Sequence, residues 1–154
     1  MEHQELFSEF SAAENALRRA IEALIQANER YCTTFPQSVK DGLPSYAEAK
    51  SNASAAYYIY ATALTYVLQS VEGTLAKLSP LSEEANKAHI SELPERCNAL
   101  ILAYEQFSSD ALSPYFEESQ RIIHGSGETI SLTPLYQATR EFSKRCEEFL
   151  KQLA

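Results

Sequence analysis

Turn-forming residues are scarce in this 154-residue sequence, which has 4 glycines and 6 prolines. An all-β sandwich, with a turn roughly every 8–12 residues, is therefore disfavoured. Cysteines are few as well: Cys32, Cys97 and Cys146 are odd in number, far apart and without C-x-x-C spacing. They indicate neither a disulfide framework nor a zinc knuckle, and they fit a reducing compartment. Basic residues are the minority, 13 Lys and Arg against 21 Asp and Glu for a net charge of −8. A field of that sign repels phosphate backbones and anionic lipid, so neither nucleic acid nor a membrane is an expected partner. No apolar run approaches the roughly 18 residues of a membrane span. The acidic start, Met1-Glu2-His3-Gln4-Glu5, lacks the basic opening of a secretory signal. A cytoplasmic chain is the expectation.

Helical periodicity is what the sequence has in abundance. From His3 to about Phe35 the residues Leu6, Phe10, Ala13, Leu17, Ala20, Leu24, Ala27, Tyr31 and Phe35 recur at three- and four-residue steps, one stripe of a long helix. Pro36 ends it, and Pro36 to Pro44 reads as a loop. Ser45-Tyr46-Ala47-Glu48 has the form of a capping box, opening a second helix whose apolar face runs from Ala49 through Tyr57, Tyr60, Leu64 and Val71 to Leu78. Three later hydroxyl–proline pairs, Ser79-Pro80, Ser113-Pro114 and Thr133-Pro134, read as helix starts. They divide the rest into segments from Pro80 to about Ile90, Leu93 to Leu112, Pro114 to His124 and Pro134 to Leu153. Glu83, Glu84, Glu117 and Glu118 then fall in first turns, where the helix dipole favours them. The expected fold is all-α: one domain over residues 1–154, an antiparallel four-helix-type bundle with two long N-terminal helices and broken third and fourth helices.

Few residues carry chemical grammar. His3, His89 and His124 form no H-E-x-x-H or Glu-x-x-His pair, so no metal or other cofactor is expected and a di-iron bundle is disfavoured. No P-loop, G-x-S-x-G or dinucleotide-binding glycine pattern occurs. The three cysteines read as core thiols, with Cys97 and Cys146 on apolar stripes. Arg121 and His124 before Gly125-Ser126-Gly127 could make an anion or ligand site. The same residues read more simply as a helix C-terminus, where the dipole is wrong for an anion.

Two surface features suggest partners. Tyr57 and Tyr60 read as core residues with hydroxyls at the bundle rim. Tyr58 and Tyr66, eight residues apart and hence on one face, read as exposed anchors for a protein partner. From Leu78 to Glu118 eight acids face only Lys87 and Arg96. Their interleaving with apolar positions fits a solvated helix face; the functional alternative is an acidic docking surface using Glu83, Glu84, Glu117 and Glu118. The expected function is a non-catalytic helical interaction module, an adaptor, scaffold or complex subunit that binds a protein partner or forms a homo-oligomer. One alternative is a small acidic export or assembly chaperone that covers a client segment. A second is a small-ligand binder or enzyme that uses the bundle interior.

Overall fold

The computed structural model describes residues 2–47, 50–125, 127 and 129–153. These residues form an all-α helical bundle. Helix α1 spans Glu2–Thr33, and its predicted stripe is buried at Phe10, Ala13, Leu17, Leu24 and Tyr31, widened by Ile21. The hydroxyls of Thr33 and Thr34 donate to the Arg30 and Tyr31 carbonyls at 2.6 and 2.7 Å, adding side-chain donors to the acceptors at the helix end. The following loop contains a single helical turn, α2 (Gln37–Lys40), which buries Val39. Helix α3 covers Lys50–Lys87, α4 Glu92–Phe107, α5 Ser113–His124 and α6 Leu132–Leu153.

Two of the three hydroxyl–proline pairs fall within continuous helix, and the third opens α6 within two residues of the expected start. Ser79-Pro80 lies inside α3, which continues to Lys87. Proline in a helix interior forfeits a hydrogen bond and costs about 3 kcal/mol. Burial of Leu78, Leu81 and Ala85 on either side keeps the apolar face continuous through it. Pro114 is likewise preceded by helix: α4 runs through a π-helical turn, Ser108–Leu112, directly into α5. The Ser113 N–H donates five residues back to Ser108. This wider turn falls immediately before the residue that has no N–H to give. At the third pair α6 already begins at Leu132, and the Thr133 hydroxyl donates across to the Leu43 carbonyl at 2.6 Å. The rods therefore break elsewhere than the sequence suggests: residues 80–87 extend α3, and residues 113–124 extend α4. Glu83 and Glu84 lie in the closing turns of α3, not in a first turn, and Glu117 and Glu118 lie within the long α4–α5 rod.

Side-chain pairings fix the directions. Phe35 meets Tyr136 with ring centroids 5.4 Å apart, and Arg18 Nε donates to the Leu153 carbonyl at 3.2 Å, so α1 and α6 run antiparallel. Tyr31 stacks on Tyr60 at 4.2 Å, while Ala13 and Ala16 share a groove with Thr74 and Pro80, which makes α3 antiparallel to α1. Phe107 stacks on Phe149 at 4.5 Å and Tyr115 on Phe142 at 4.4 Å, laying the α4–α5 rod along α6.

Two connections are pinned at one end of the bundle. An antiparallel bridge joins Tyr46 to Ser131, with Ala47 N–H donating to Ile130 O at 3.0 Å and Leu132 N–H to Ser45 O at 2.9 Å. Ser45 is thus held by this bridge, while its expected capping-box partner Glu48, like Ala49, lies outside the described residues.

At the opposite end α3 closes on a Schellman motif. His89 N–H donates to Asn86 O at 3.1 Å and Ile90 N–H to Ala85 O at 2.9 Å. The position that wraps the helix end is His89, at φ 62°, where glycine would sit without strain. A side chain in this left-handed region costs about 1–2 kcal/mol, part of which glycine returns through its freer unfolded chain. His89→Gly should therefore raise stability by about 0.5–1 kcal/mol in denaturant titration. A loss of stability would show that the imidazole contributes more than its strained backbone costs.

Candidate functional site

The bundle interior holds a connected set of polar side chains. Asn28 of α1 has 0% exposure and occupies a stripe position four residues after Leu24 and three before Tyr31. Its Oδ1 accepts the Tyr60 hydroxyl proton, and its Nδ2 lies 3.9 Å from Cys146 Sγ. The Tyr115 hydroxyl donates to the Tyr60 oxygen at 3.0 Å. With that proton committed, the 2.8 Å contact between Tyr115 and Thr139 requires Thr139 to donate, sharing its single proton with the Leu135 carbonyl 2.9 Å away. Nearby, Tyr57 donates to Ser119 at 2.6 Å, because the Ser119 proton goes to the Phe116 carbonyl at 3.2 Å. Tyr57 and Tyr60 are core residues as expected, but their hydroxyls point into this network instead of reaching the rim. No buried side-chain nitrogen or oxygen among the described residues lacks a partner.

These groups are held in their neutral forms. Burial pushes the Tyr60 and Tyr115 hydroxyls well above the ordinary phenol range; Tyr115 raises Tyr60 further, whereas hydrogen bonds to Thr139 and Tyr60 pull Tyr115 partly back. Burial lifts Cys146 to about 12 against a hydrogen bond from Asn28, and it raises Cys32 and Cys97 as well. All three thiols are buried and free. At neutral pH the interior thus presents protonated thiols and phenols. Among the described residues no group of three His, Cys, Asp or Glu side chains is arranged to hold a metal ion.

The charged candidates are scattered. Tyr60 pairs with Tyr115 across α3 and α5, and Glu84 lies 24 residues beyond Tyr60, about 36 Å along the helix at 1.5 Å per residue. Glu84 and its neighbour Glu83 are consequently remote from Glu117 and Glu118, and the acidic stretch does not gather into one surface. Glu84 faces Lys87 at 3.6 Å. Glu118 takes the Arg121 guanidinium with both oxygens, at 2.7 and 3.3 Å, which holds its carboxyl below the usual range. Arg121 is therefore already engaged by a carboxylate. Gly125 closes α5 by donating to Arg121 O at 2.9 Å, and a Cβ there would stand 2.6 Å from that oxygen. Close approach, not a left-handed backbone, is what requires this glycine. Ser126 lies outside the described residues.

The outer face of α3 brings together what the sequence left separate. Tyr58, Ile59 and Tyr66 are 72%, 72% and 77% exposed. They line a groove of about 850 Å³ between α3 and α5, whose far wall carries Gln120, Ile123 and His124. The groove exists because α3 and α5 do not pack closely along their length; the long side chains Tyr57 and Tyr60 span the gap to Ser119 and Tyr115. A further feature of this face went unread in the sequence. From Ser51 through Val71 the chain has no Asp, Glu, Lys, Arg or His. Ser51, Ala55, Tyr58, Ile59, Thr62, Thr65, Tyr66, Gln69 and Gly73 are nevertheless all exposed. An exposed helix face in a globular protein is ordinarily charged. Among the described residues no helix is long and apolar enough to cross a membrane, so this stretch is not a span.

Comparison of the chain with protein-family models, curated proteins and solved structures finds no match.

The network makes two predictions. Tyr60→Phe leaves Asn28 Oδ1 buried without its partner while the Tyr115 proton turns to Thr139, whose own proton stays with Leu135; Tyr115→Phe leaves Tyr60 bonded to Asn28 and Thr139 bonded to Leu135. Unfolding by denaturant should show a loss of about 2–3 kcal/mol for the first and about 1 kcal/mol for the second; the reverse order would refute the assigned proton directions. Cys146 supplies the pH dependence. Its folded value lies above the ordinary thiol value of 9, so its contribution is intact below pH 9 and is lost as pH rises through about 12. Stability should fall over that window by up to about 1.4 kcal/mol per pH unit from this thiol, and Cys146→Ser should flatten the slope.

Proposed function

We propose that this protein is a helical protein-interaction module whose contact surface is the outer face of α3 from Ser51 to Ser70, with Tyr58, Ile59 and Tyr66 as anchors. The observation that carries the reading is the pairing of exposure with absence of charge. Interface centres are depleted in charged residues and enriched in tyrosine, and a contiguous exposed apolar patch on a small chain is ordinarily a binding surface. Charge elsewhere on the surface makes the contrast local: α6 exposes Arg140, Glu141, Lys144 and Glu147 at its outward positions.

The interior supports the same reading. Its polar groups are fully occupied with one another and neutral at physiological pH, so they serve to hold α3 in place. The groove beside Tyr58 and Tyr66 offers a place for an amphipathic helix, a ligand that presents its anchors at i, i+3, i+4 and i+7 positions. The acidic residues act as general solvation of the remaining surface.

The test is a paired capture experiment with the native chain and Tyr58→Ser/Tyr66→Ser, both checked for equal helicity and melting temperature. The native chain should retain a protein, its own copy included, that the variant releases, with affinity falling at least tenfold. Identical retention by both chains, with both monomeric, would refute the α3 face as the contact surface.

A further inference from the structure

We infer that the occupant of the α3 face is a second copy of this chain, packed antiparallel about a two-fold axis at Thr62; the inference rests on the reading of that face as a contact surface. The two anchors are placed symmetrically about Thr62, Tyr58 four residues before it and Tyr66 four residues after it. A two-fold interface uses the same patch on both partners, so it requires a face that complements itself.

Helix geometry shows that this face does. In an antiparallel pair centred on Thr62, residues equally far before and after position 62 lie at the same level. At about 100° per residue, Tyr66 of one copy then stands over the hole framed by Ala55, Tyr58, Ile59 and Thr62 of the second copy. Tyr58 stands over the hole framed by Thr62, Thr65, Tyr66 and Gln69 of the second copy. Both holes have the i, i+3, i+4, i+7 outline that accepts a knob in coiled-coil packing. Every residue in them other than the knobs themselves is Ala, Ile, Thr or Gln, and all are exposed in the single chain. At the axis itself the threonine pair is small enough to let the helices approach.

Charge selects the direction. The uncharged face is bounded by Lys50 at one end and Glu72 at the other. The antiparallel arrangement sets Lys50 within about 3 Å, measured along the axis, of Glu72 of the second copy, a pairing of opposite signs. A parallel two-fold would oppose lysine to lysine and glutamate to glutamate. The Lys50 ammonium donates to the Gly127 carbonyl within its own chain, and it keeps further protons for a carboxylate.

Sedimentation of the full chain across a concentration series, together with three variants at exposed α3 positions, tests the inference. The native chain should be a dimer. Thr62→Arg, which places two guanidinium groups together at the axis, should be a monomer of unchanged helicity. Thr62→Cys should form an intermolecular disulfide under mild oxidation, while Ser79→Cys on the same helix should not; the native thiols are all buried and do not compete. A dimer indifferent to Thr62→Arg, with no Thr62→Cys cross-link, overturns the geometry. A monomeric native chain that still loses a captured partner on Tyr58→Ser/Tyr66→Ser overturns self-association and leaves the face as a site for another protein's helix. A monomer whose capture is indifferent to both variants overturns this inference and the proposed function together.

Discussion

A carboxamide sealed from water must satisfy its oxygen and its nitrogen inside the protein, and at Asn28 that requirement ties four helices together. The oxygen is met by Tyr60 of α3, and through Tyr60 by Tyr115 of α5 and Thr139 of α6. Leucine at this position would bury more apolar surface, but it could not accept the Tyr60 proton. Shifting α3 by one residue against α1 would strand several buried groups at once, each costing about 1–3 kcal/mol. An isolated polar residue on an otherwise apolar helix stripe acts in this way in coiled coils, giving up some stability to specify register. Here the specification is three-way, because the hydrogen bonds pass through two tyrosines in series.

Aromatic packing surrounds and protects the polar chain. Tyr31 stacks on Tyr60, Tyr115 stacks on Phe142, and Phe107 stacks between Phe142 and Phe149. The rings bring large buried area, and the hydroxyls of Tyr60 and Tyr115 place directional bonds within it. Water is excluded, which strengthens each bond and keeps every member neutral. The same exclusion bears on the thiols of Cys32, Cys97 and Cys146: the environment that packs them also disfavours their thiolates.

The sequence shows the stripes plainly, because spacing by three and four residues is a local property that burial only confirms. It shows Tyr58 and Tyr66 on one face for the same reason. Helix ends were less legible. A hydroxyl followed by proline reads alike at the start of a helix and within one; at Pro80 the outcome was decided by whether Leu81 and Ala85 had core to bury against, which is a tertiary fact. Asn28 is passed over for Ala27 as the stripe residue between Leu24 and Tyr31, and its partners Tyr60, Tyr115 and Thr139 come from far along the chain. The acids from Glu83 to Glu118 illustrate the converse, being near in sequence and distant in space. The uncharged run from Ser51 to Val71 is open to inspection in the sequence, but its meaning depends on knowing that half of it faces solvent.

The interior network and the outer face of α3 are two aspects of one constraint. Tyr57 and Tyr58 are adjacent in sequence and separated by about 100° around the helix, so fixing one direction fixes the other. Tyr57 is anchored to Ser119 and Tyr60 to Asn28, with Leu64 and Val71 buried further along the same side. A rotation of α3 by one residue position would turn Tyr58 inward and break both anchors. The exposed rings therefore stand on a helix whose rotation is already set by buried hydrogen bonds, so the proposed contact surface would need no ordering of backbone to bind. Preorganisation of this kind lowers the entropic cost of association, which otherwise consumes much of what an apolar contact contributes. A face of tyrosine, isoleucine, alanine and threonine, with no charge to desolvate and Gln69 as its one long flexible chain, keeps the remaining costs small as well.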